Sequence, residues 1–462
     1  MFETPRGRAV AALSLLALGS VAGCAQGAGT GRDAPEFSTS SPPSGELSVM
    51  GFGTGDEIGE VRYDAAVAAL DGVDVKLAEG ELDIQAFLSA VASGNPPDLV
   101  YANRDQIGTF ASRGAIVSLE ECVEAQDIDT SVFDEAALAQ VTFADAVYGI
   151  PEFNTVQLTM ANADLLSSAG LTIEDVDGSD WDAVAAASTA TTRTDGARLA
   201  VIGYDPKLPE FLPLWAKANG ADLLSQDGRT AQLDTPEVLE ALELGVGVYD
   251  DQGGFAAVKT FRDSADFFGA GNQFATGVLG AMPMEQWYVN VLNESSPQAP
   301  LAFDTFRGKD GQTLAYATGS AWAVPKGAKN PAAACQFART MTDTETWLEA
   351  ARARAEARAA SGALFTGLLT GNTEADDAIR EELVDPDAPA PWGDAIAATY
   401  EANENTFSLP ANPADNAFET AWQDAVNRVL NGQQEPAAAL AQAQEEAQAA
   451  LDKAWAGWDG ED

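Results

Sequence analysis

The sequence predicts an α/β protein folded as two lobes, and three observations predict it. Its 462 residues exceed one ordinary core at roughly 100–200 residues per domain. Strand and helix patterns alternate in units of about 25–30 residues, the arrangement that builds a mostly parallel sheet covered on both faces, and they restart after Pro151. Two interruptions, residues 146–154 (AVYGIPEFN) and 303–311 (FDTFRGKDG), read as crossings between lobes rather than turns within one.

In chain order, residues 46–52 (ELSVMGF) form a short β-type run ending in a Gly-rich turn. Ile58, Val61, Ala65 and Ala68 then recur at helical spacing. Residues 74–78 read as a strand and 82–91 as a helix. After the breaker Asn95-Pro96-Pro97 comes a strand at 98–101, then a helix near 105–112. Beyond Pro151, strands are expected at 157–161, 199–204, 277–282 and 300–306. Ser179 and Asp182 frame a helix start like a capping box, and Thr235-Pro236-Glu237 opens another helix with a cap, a proline and an acid in the first turn. Asn330-Pro331 starts a helix with Cys335, Ala338 and Met341 on one face. Residues 352–360 (RARAEARAA) read as a solvated structural helix, and 436–458 as an amphipathic one.

Composition narrows the function. With 46% hydrophobic and 21% charged residues the chain is globular. Acids number 71 against 25 basic residues, a formal charge of −46, which repels phosphate backbones and anionic lipid headgroups. No nucleic-acid partner is therefore expected. Only eight basic residues are lysines; salt-adapted proteins share this bias, as do ordinary acidic exported ones. Histidine is absent, which removes Ser-His-Asp triads, Cys-His pairs and histidine-ligated metals. No P-loop occurs, and Asp175–Asp180 lacks calcium-loop spacing. No cofactor and no metal are expected.

The N-terminus reads as an address. Arg6 and Arg8 precede an apolar run over 9–23, too short to span a bilayer and suited to a signal peptide. It ends Val21-Ala22-Gly23-Cys24, which resembles the lipobox of bacterial lipoproteins. The resemblance implies a diacylated Cys24 as the mature N-terminus, with membrane attachment by lipid alone. Residues 24–45, rich in Gly, Ser, Pro and Thr, read as a flexible tether. Cys122 and Cys335 then remain, either as a disulfide or as two separate buried thiols.

Five motifs in order resemble the family 1 extracellular solute-binding proteins, the sugar-binding lipoproteins that feed ABC importers. They are Ser93-Gly94-Asn95-Pro96-Pro97-Asp98-Leu99-Val100, Tyr148-Gly149-Ile150-Pro151, Asn162-Ala163-Asp164-Leu165-Leu166 with Ala169-Gly170-Leu171, Gly280-Ala281-Met282 leading to Trp287, and Lys326-Gly327-Ala328-Lys329-Asn330-Pro331. Ala161 stands where the family usually has tyrosine, and the last hundred residues match only in style. The resemblance implies a periplasmic-binding-protein-like fold: two lobes, hinge crossovers and a ligand cleft between them. It places 46–152 with 310–362 in an N-terminal lobe and 153–309 with 363–462 in a C-terminal lobe. A monomer is implied that is exported to the outer face of the cytoplasmic membrane, takes up a sugar or oligosaccharide, and meets the permease subunits of an ABC importer.

A neutral sugar needs flat aromatic rings for its C–H faces and amides or carboxylates for its hydroxyls. Such residues near strand ends are Phe52, Thr54 and Asp56 after the first strand, Asn103 and Asp105 after the third, and Asn154 at the first crossing, beside Glu152 and Phe153. Further along are Trp215, then Glu285 and Trp287 in the densest aromatic-polar cluster, and Ser320 and Trp322 at a return crossing; Trp392 is a weaker candidate. No catalytic residue is assigned. The competing expectation is a secreted carbohydrate hydrolase using paired carboxylates.

Overall fold

The computed structural model describes Phe37 and residues 42–459. Ten strands make two separate five-stranded sheets: β1 (Gly45–Met50), β2 (Val73–Ala78), β3 (Leu99–Asn103), β4 (Ile150–Thr155), β5 (Gln157–Asn162), β6 (Arg193–Asp195), β7 (Arg198–Tyr204), β8 (Leu279–Glu285), β9 (Leu301–Thr305) and β10 (Thr318–Ala323). The first sheet runs β2-β1-β3-β10-β4 and the second β9-β5-β8-β7-β6.

Both sheets are mixed, which corrects the expectation of mostly parallel ones. β1 is parallel to β2 and β3, but β10 is antiparallel to β3 and β4. In the second sheet only β7 and β8 are parallel. The chain path explains this. The helices Glu57–Ala68 and Ile84–Ala92 carry the chain back between β1, β2 and β3, so those strands run alike. A strand entering from the other lobe starts at the inner end of its sheet and runs the opposite way. β10 does so in the first sheet. β5 does so in the second, with only Val156 between it and β4. The inner ends therefore face each other: Met50, Asn103, Thr318 and Thr155 of the first sheet, and Gln157, Tyr204 and Glu285 of the second.

Local chemistry sets the helix starts. Asp56 caps Glu57–Ala68 by accepting from the Gly59 amide at 2.8 Å, and Thr235 caps Pro236–Asp251. The helix Trp181–Thr191 is capped by Asp180, which accepts from Asp182 and Ala183; Ser179 instead bonds Asp177, so the expected capping box is not formed. Gly51 sits at φ 97°, where a Cβ would collide with the Tyr101 carbonyl, so this turn requires glycine.

Cys122 on Glu120–Ala125 and Cys335 on Pro331–Thr342 are joined as a disulfide in the core of the first lobe, with Cα atoms 5.7 Å apart. The helices Asp415–Leu430 and Pro436–Asp459 pack on each other and bridge the two halves. Trp455 stacks on Phe143 at 5.2 Å and donates its Nε1 to the Gly228 carbonyl. The Gln444 and Gln448 amides pair with the backbone of Leu233 and Ala231 as a neighbouring strand would. The described residues fall in one compact unit, and among them no helix is long and apolar enough to cross a membrane.

Candidate functional site

Where the inner strand ends meet, two amide side chains hold the crossings. Gln286 accepts from the Val156 amide at 2.9 Å and donates to the Asn154 carbonyl at 3.0 Å. Gln157 does the same to Tyr316 on the return crossing, accepting at 2.8 Å and donating at 3.0 Å. Because Gln286 is fixed to the hinge, the next residue, Trp287, is fixed beside it.

A cavity of about 200 Å³ opens here, lined from the first lobe by Asp56, Phe153, Asn154 and Arg354 and from the second by Gln286, Trp287 and Asn290; Phe153 and Asn154 fall in the first lobe, not the second as expected, because β4 stays in the first sheet through Thr155. Trp287 is half-buried, and its Nε1 donates to Glu285 Oε2 at 2.5 Å. Burial pushes the Glu285 carboxyl above its usual range, and the Trp287 bond opposes that rise. Asp56 Oδ2 accepts from Arg354 Nη2 at 2.6 Å, and Arg354 Nε reaches Glu57 at 2.8 Å. Phe153 has φ 57°, a conformation that favours glycine. It is held there by its amide bond to the Thr370 carbonyl and by its ring, edge-on to Trp347 at 5.0 Å.

Beneath the cavity lies a buried ion pair. Arg62 Nη1 meets Glu152 Oε2 at 2.8 Å, with side chains 1% and 0% exposed. The guanidinium lies 3.8 Å from the Trp347 ring centre and also bonds the Ile58 and Met341 carbonyls; Trp322 Nε1 donates to the same Glu152 oxygen.

The expected site residues divide. Asp56, Asn154 and Trp287 line one cavity, with Glu285 bonded to Trp287. Asn103 is exposed at the inner end of β3, where Ser320 pairs with it in register, and the Asp105 carboxyl turns into a second concavity. Thr54 is half-buried and donates its amide and hydroxyl to Glu79. Phe52, Trp215 and Trp322 are corrections: they are 4%, 1% and 0% exposed and belong to the core. Phe52 and Trp322 pack on each other and on Tyr101, and the Trp215 indole is spent on the Pro206 carbonyl. Trp392, 7% exposed, packs against Phe303.

Sequence reasoning missed Arg354 and Asn290. Arg354 belongs to the RARAEARAA helix taken as solvated. In that helix Arg352 faces Glu382, Arg354 faces the cavity, and buried Arg358 donates across to Asn293 of the second lobe at 3.1 Å. The two-residue spacing from Arg352 to Arg354 placed them on different faces, a signal that was readable.

A second concavity holds Asp105, Gln140, Tyr316, Asp415 and Glu419. Burial and repulsion from Asp105 raise Asp415 and Glu419, and burial raises Asp105 although Arg104 opposes it. Among the described residues no group of three or more His, Cys, Asp or Glu is arranged to hold a metal ion.

A hydrogen-bond chain crosses the hinge from Arg104 Nη2 to Asn154 Oδ1 at 2.9 Å, from Asn154 Nδ2 to Asn403 Oδ1 at 2.9 Å, and on to Asp376. Burial pushes the Asp376 carboxyl up to about 7, against hydrogen bonds from Thr370 that lower it. Between roughly pH 4 and 7 the folded state then holds a proton that the unfolded state releases, so stability falls as pH rises through that window. Relative to Asp376→Asn, the parent protein should be about 2–3 kcal/mol more stable at pH 5 than at pH 8 in urea unfolding. A difference that stays constant between the two pH values contradicts this.

Two α/β bodies, hinge crossings and a cavity between facing strand ends define a two-lobed solute-binding fold. Residues 63–364 match the family model described as bacterial extracellular solute-binding protein, and the chain belongs to that family. It is 24% identical over 272 residues to the maltooligosaccharide ABC transporter solute-binding lipoprotein of Streptococcus pneumoniae R6; the match spans 55% of this chain and 57% of that relative. Among solved structures it resembles CpMnBP1 with mannobiose bound (TM-score 0.70, 22% identity, covering 87% of this chain and 100% of the other). It also resembles the ABC substrate-binding protein Lmo0181 of Listeria monocytogenes in complex with cycloalternan (TM-score 0.67, 19% identity, 88% and 99% covered). The GacH receptor of Streptomyces glaucescens has a TM-score of 0.66 at 17% identity, with 88% and 99% covered. At these identities the structural likeness shows the fold.

Proposed function

We propose that this protein captures a carbohydrate between its lobes and delivers it unaltered to an ABC-type importer, held at the outer membrane face by a lipidated Cys24. The observation that carries the proposal is the Glu285–Gln286–Trp287 turn. It presents an aromatic face, a carboxylate bonded to the indole and a hinge-anchored amide on one side of a cavity, with Asp56 and Asn154 on the others. Apolar ring faces beside planar acceptors match the two-sided chemistry of a sugar. The relatives named above for maltooligosaccharide, mannobiose and cycloalternan support a saccharide. Cys24 lies outside the described residues, so the anchor rests on the sequence motif and on the lipoprotein names of the relatives.

The test is a thermal-shift screen of the purified protein over mono- and oligosaccharides, amino acids and polyols. A saccharide is expected to raise the melting temperature and to be recovered unchanged. Stabilisation only by a non-carbohydrate, or consumption of the sugar, defeats the proposal. Full-length protein made in the same preparation should sediment with membranes, and Cys24→Ser should release it.

A further inference from the structure

We propose that Asp376 is a positioning residue that makes ligand binding proton-coupled: a proton on its Oδ2 turns the Asn403 amide and frees the Asn154 amide for the ligand, so the acid form binds more tightly. The inference rests on the saccharide reading above. Asp376 is 4% exposed and lies on the helix Thr373–Leu383, which packs on Thr344–Ser361 of the first lobe. Asn403 ends the helix Trp392–Asn403, which packs on β9 and β5 of the second sheet. Asn403 is thus the second-lobe link in the chain from Arg104 to Asp376, held by a first-lobe group on each side.

The order of donors along this chain is forced. A guanidinium only donates, so Asn154 turns Oδ1 to Arg104 and Nδ2 to Asn403; Asn403 then shows Oδ1 to Asn154 and Nδ2 to Asp376. Asp376 must accept at both oxygens. Oδ1 takes the Thr370 amide and hydroxyl, each at 2.7 Å, so a proton goes to Oδ2, opposite the Asn403 NH2. Two donors then face each other, at what is already the longest link, 3.4 Å against 2.9 Å for the other two. Turning the Asn403 amide over gives the new hydroxyl an acceptor but sets the Asn403 NH2 against the Asn154 NH2. Asn154 cannot turn in answer, because Arg104 would then face a donor. Its Nδ2 is released instead, and Asn154 lines the cavity.

The surroundings favour that proton. Facing Asp376 are Asp134 at the cap of Glu135–Val141, Asp377 on its own helix and Tyr400 on Trp392–Asn403. Arg380 lies over the Tyr400 ring, 4.7 Å from its centre, and Arg104 reaches Asp376 through the two amides. On β4, Glu152 is paired with Arg62; on Thr344–Ser361, Arg352, Arg354 and Arg358 are taken by Glu382, Glu57 and Asn293. Two neighbouring acids are therefore offset by no adjacent cation, and the buried carboxyl titrates near neutral pH.

Two measurements test this. In NMR of the free parent protein, the side-chain amide signals of Asn154 and Asn403 should shift together as pH passes through about 7, and they should stay fixed in Asp376→Asn, whose amide keeps the acid-form pattern. Isothermal titration with maltotriose and with mannobiose should give, for the sugar that binds, a Kd about three- to tenfold lower at pH 5 than at pH 8, with protons taken up on binding at pH 7. Asp376→Asn should lose that difference; Glu285 titrates in both proteins, so the comparison isolates Asp376. Asn154 and Asn403 signals indifferent to pH in the parent, a pH effect on affinity that survives in Asp376→Asn, or tighter binding at pH 8 overturns the coupling and leaves the saccharide reading intact. Should Asp376→Asn not fold, the parent's amide signals decide. Failure of both sugars to bind at either pH counts against the saccharide reading alone, since those signals still decide the switch.

Discussion

Replacing Arg62 by methionine is expected to destabilise the protein by about 3–5 kcal/mol, because it leaves Glu152 charged and unpaired where no water reaches. Glu152 Oε1 has no hydrogen-bond partner even in the intact pair, so the surroundings offer no substitute cation. The loss should be largely recovered in the double variant Arg62→Met with Glu152→Gln, which removes both charges together. Unfolding by urea measures each term. Equal destabilisation by the single and double variants would contradict the account, since it would assign the effect to the contacts of the Arg62 guanidinium with the Trp347 and Phe153 rings. The pair also has a positional role. Glu152 immediately precedes Phe153 and Asn154 in β4, so the cavity wall sits on this ion pair, and sugar affinity should fall with it.

Removing the disulfide is the second large effect. Cys122→Ala with Cys335→Ala should cost about 2–5 kcal/mol, since the bond closes a loop of 213 residues that would otherwise add conformational freedom to the unfolded chain. Both sulfurs are wholly buried beside Leu119 and Phe337, so a reductant should act only after the first lobe opens. Reduced and oxidised forms should therefore differ in melting temperature but bind sugar alike at 25 °C, because neither cysteine approaches the cavity. Melting that is indifferent to reductant under unfolding conditions would argue against the bond.

Strand positions were legible because their signals are local. β1, β3, β5, β7 and β9 fall within two residues or so of runs readable as β-type, and Asp56 and Thr235 cap helices as their spacing suggests. Strand direction was not legible, since it depends on whether the chain returns through a helix or arrives from the other lobe. The aromatic residues show the same boundary. Glu285 and Trp287 were readable as candidates because polar and aromatic groups crowd one strand end. Nothing local separates Trp215 and Trp322 from Trp287, because each is a tryptophan near a strand or helix end. What differs is the face: the indoles of Trp215 and Trp322 are bonded inside the core. Arg354 and Asp56 lie 298 residues apart in the chain, and only folding brings the two together at the cavity.

The central claim is a clamp that closes on a sugar. Small-angle X-ray scattering of the parent protein and of Trp287→Ala, with and without a saccharide identified by the thermal screen, tests it most directly. The account predicts that the parent becomes more compact on binding, that Trp287→Ala melts like the parent yet neither binds nor contracts at the same sugar concentration, and that the sugar is recovered intact. Tight binding with no change in dimensions, or full affinity retained in Trp287→Ala, would contradict it.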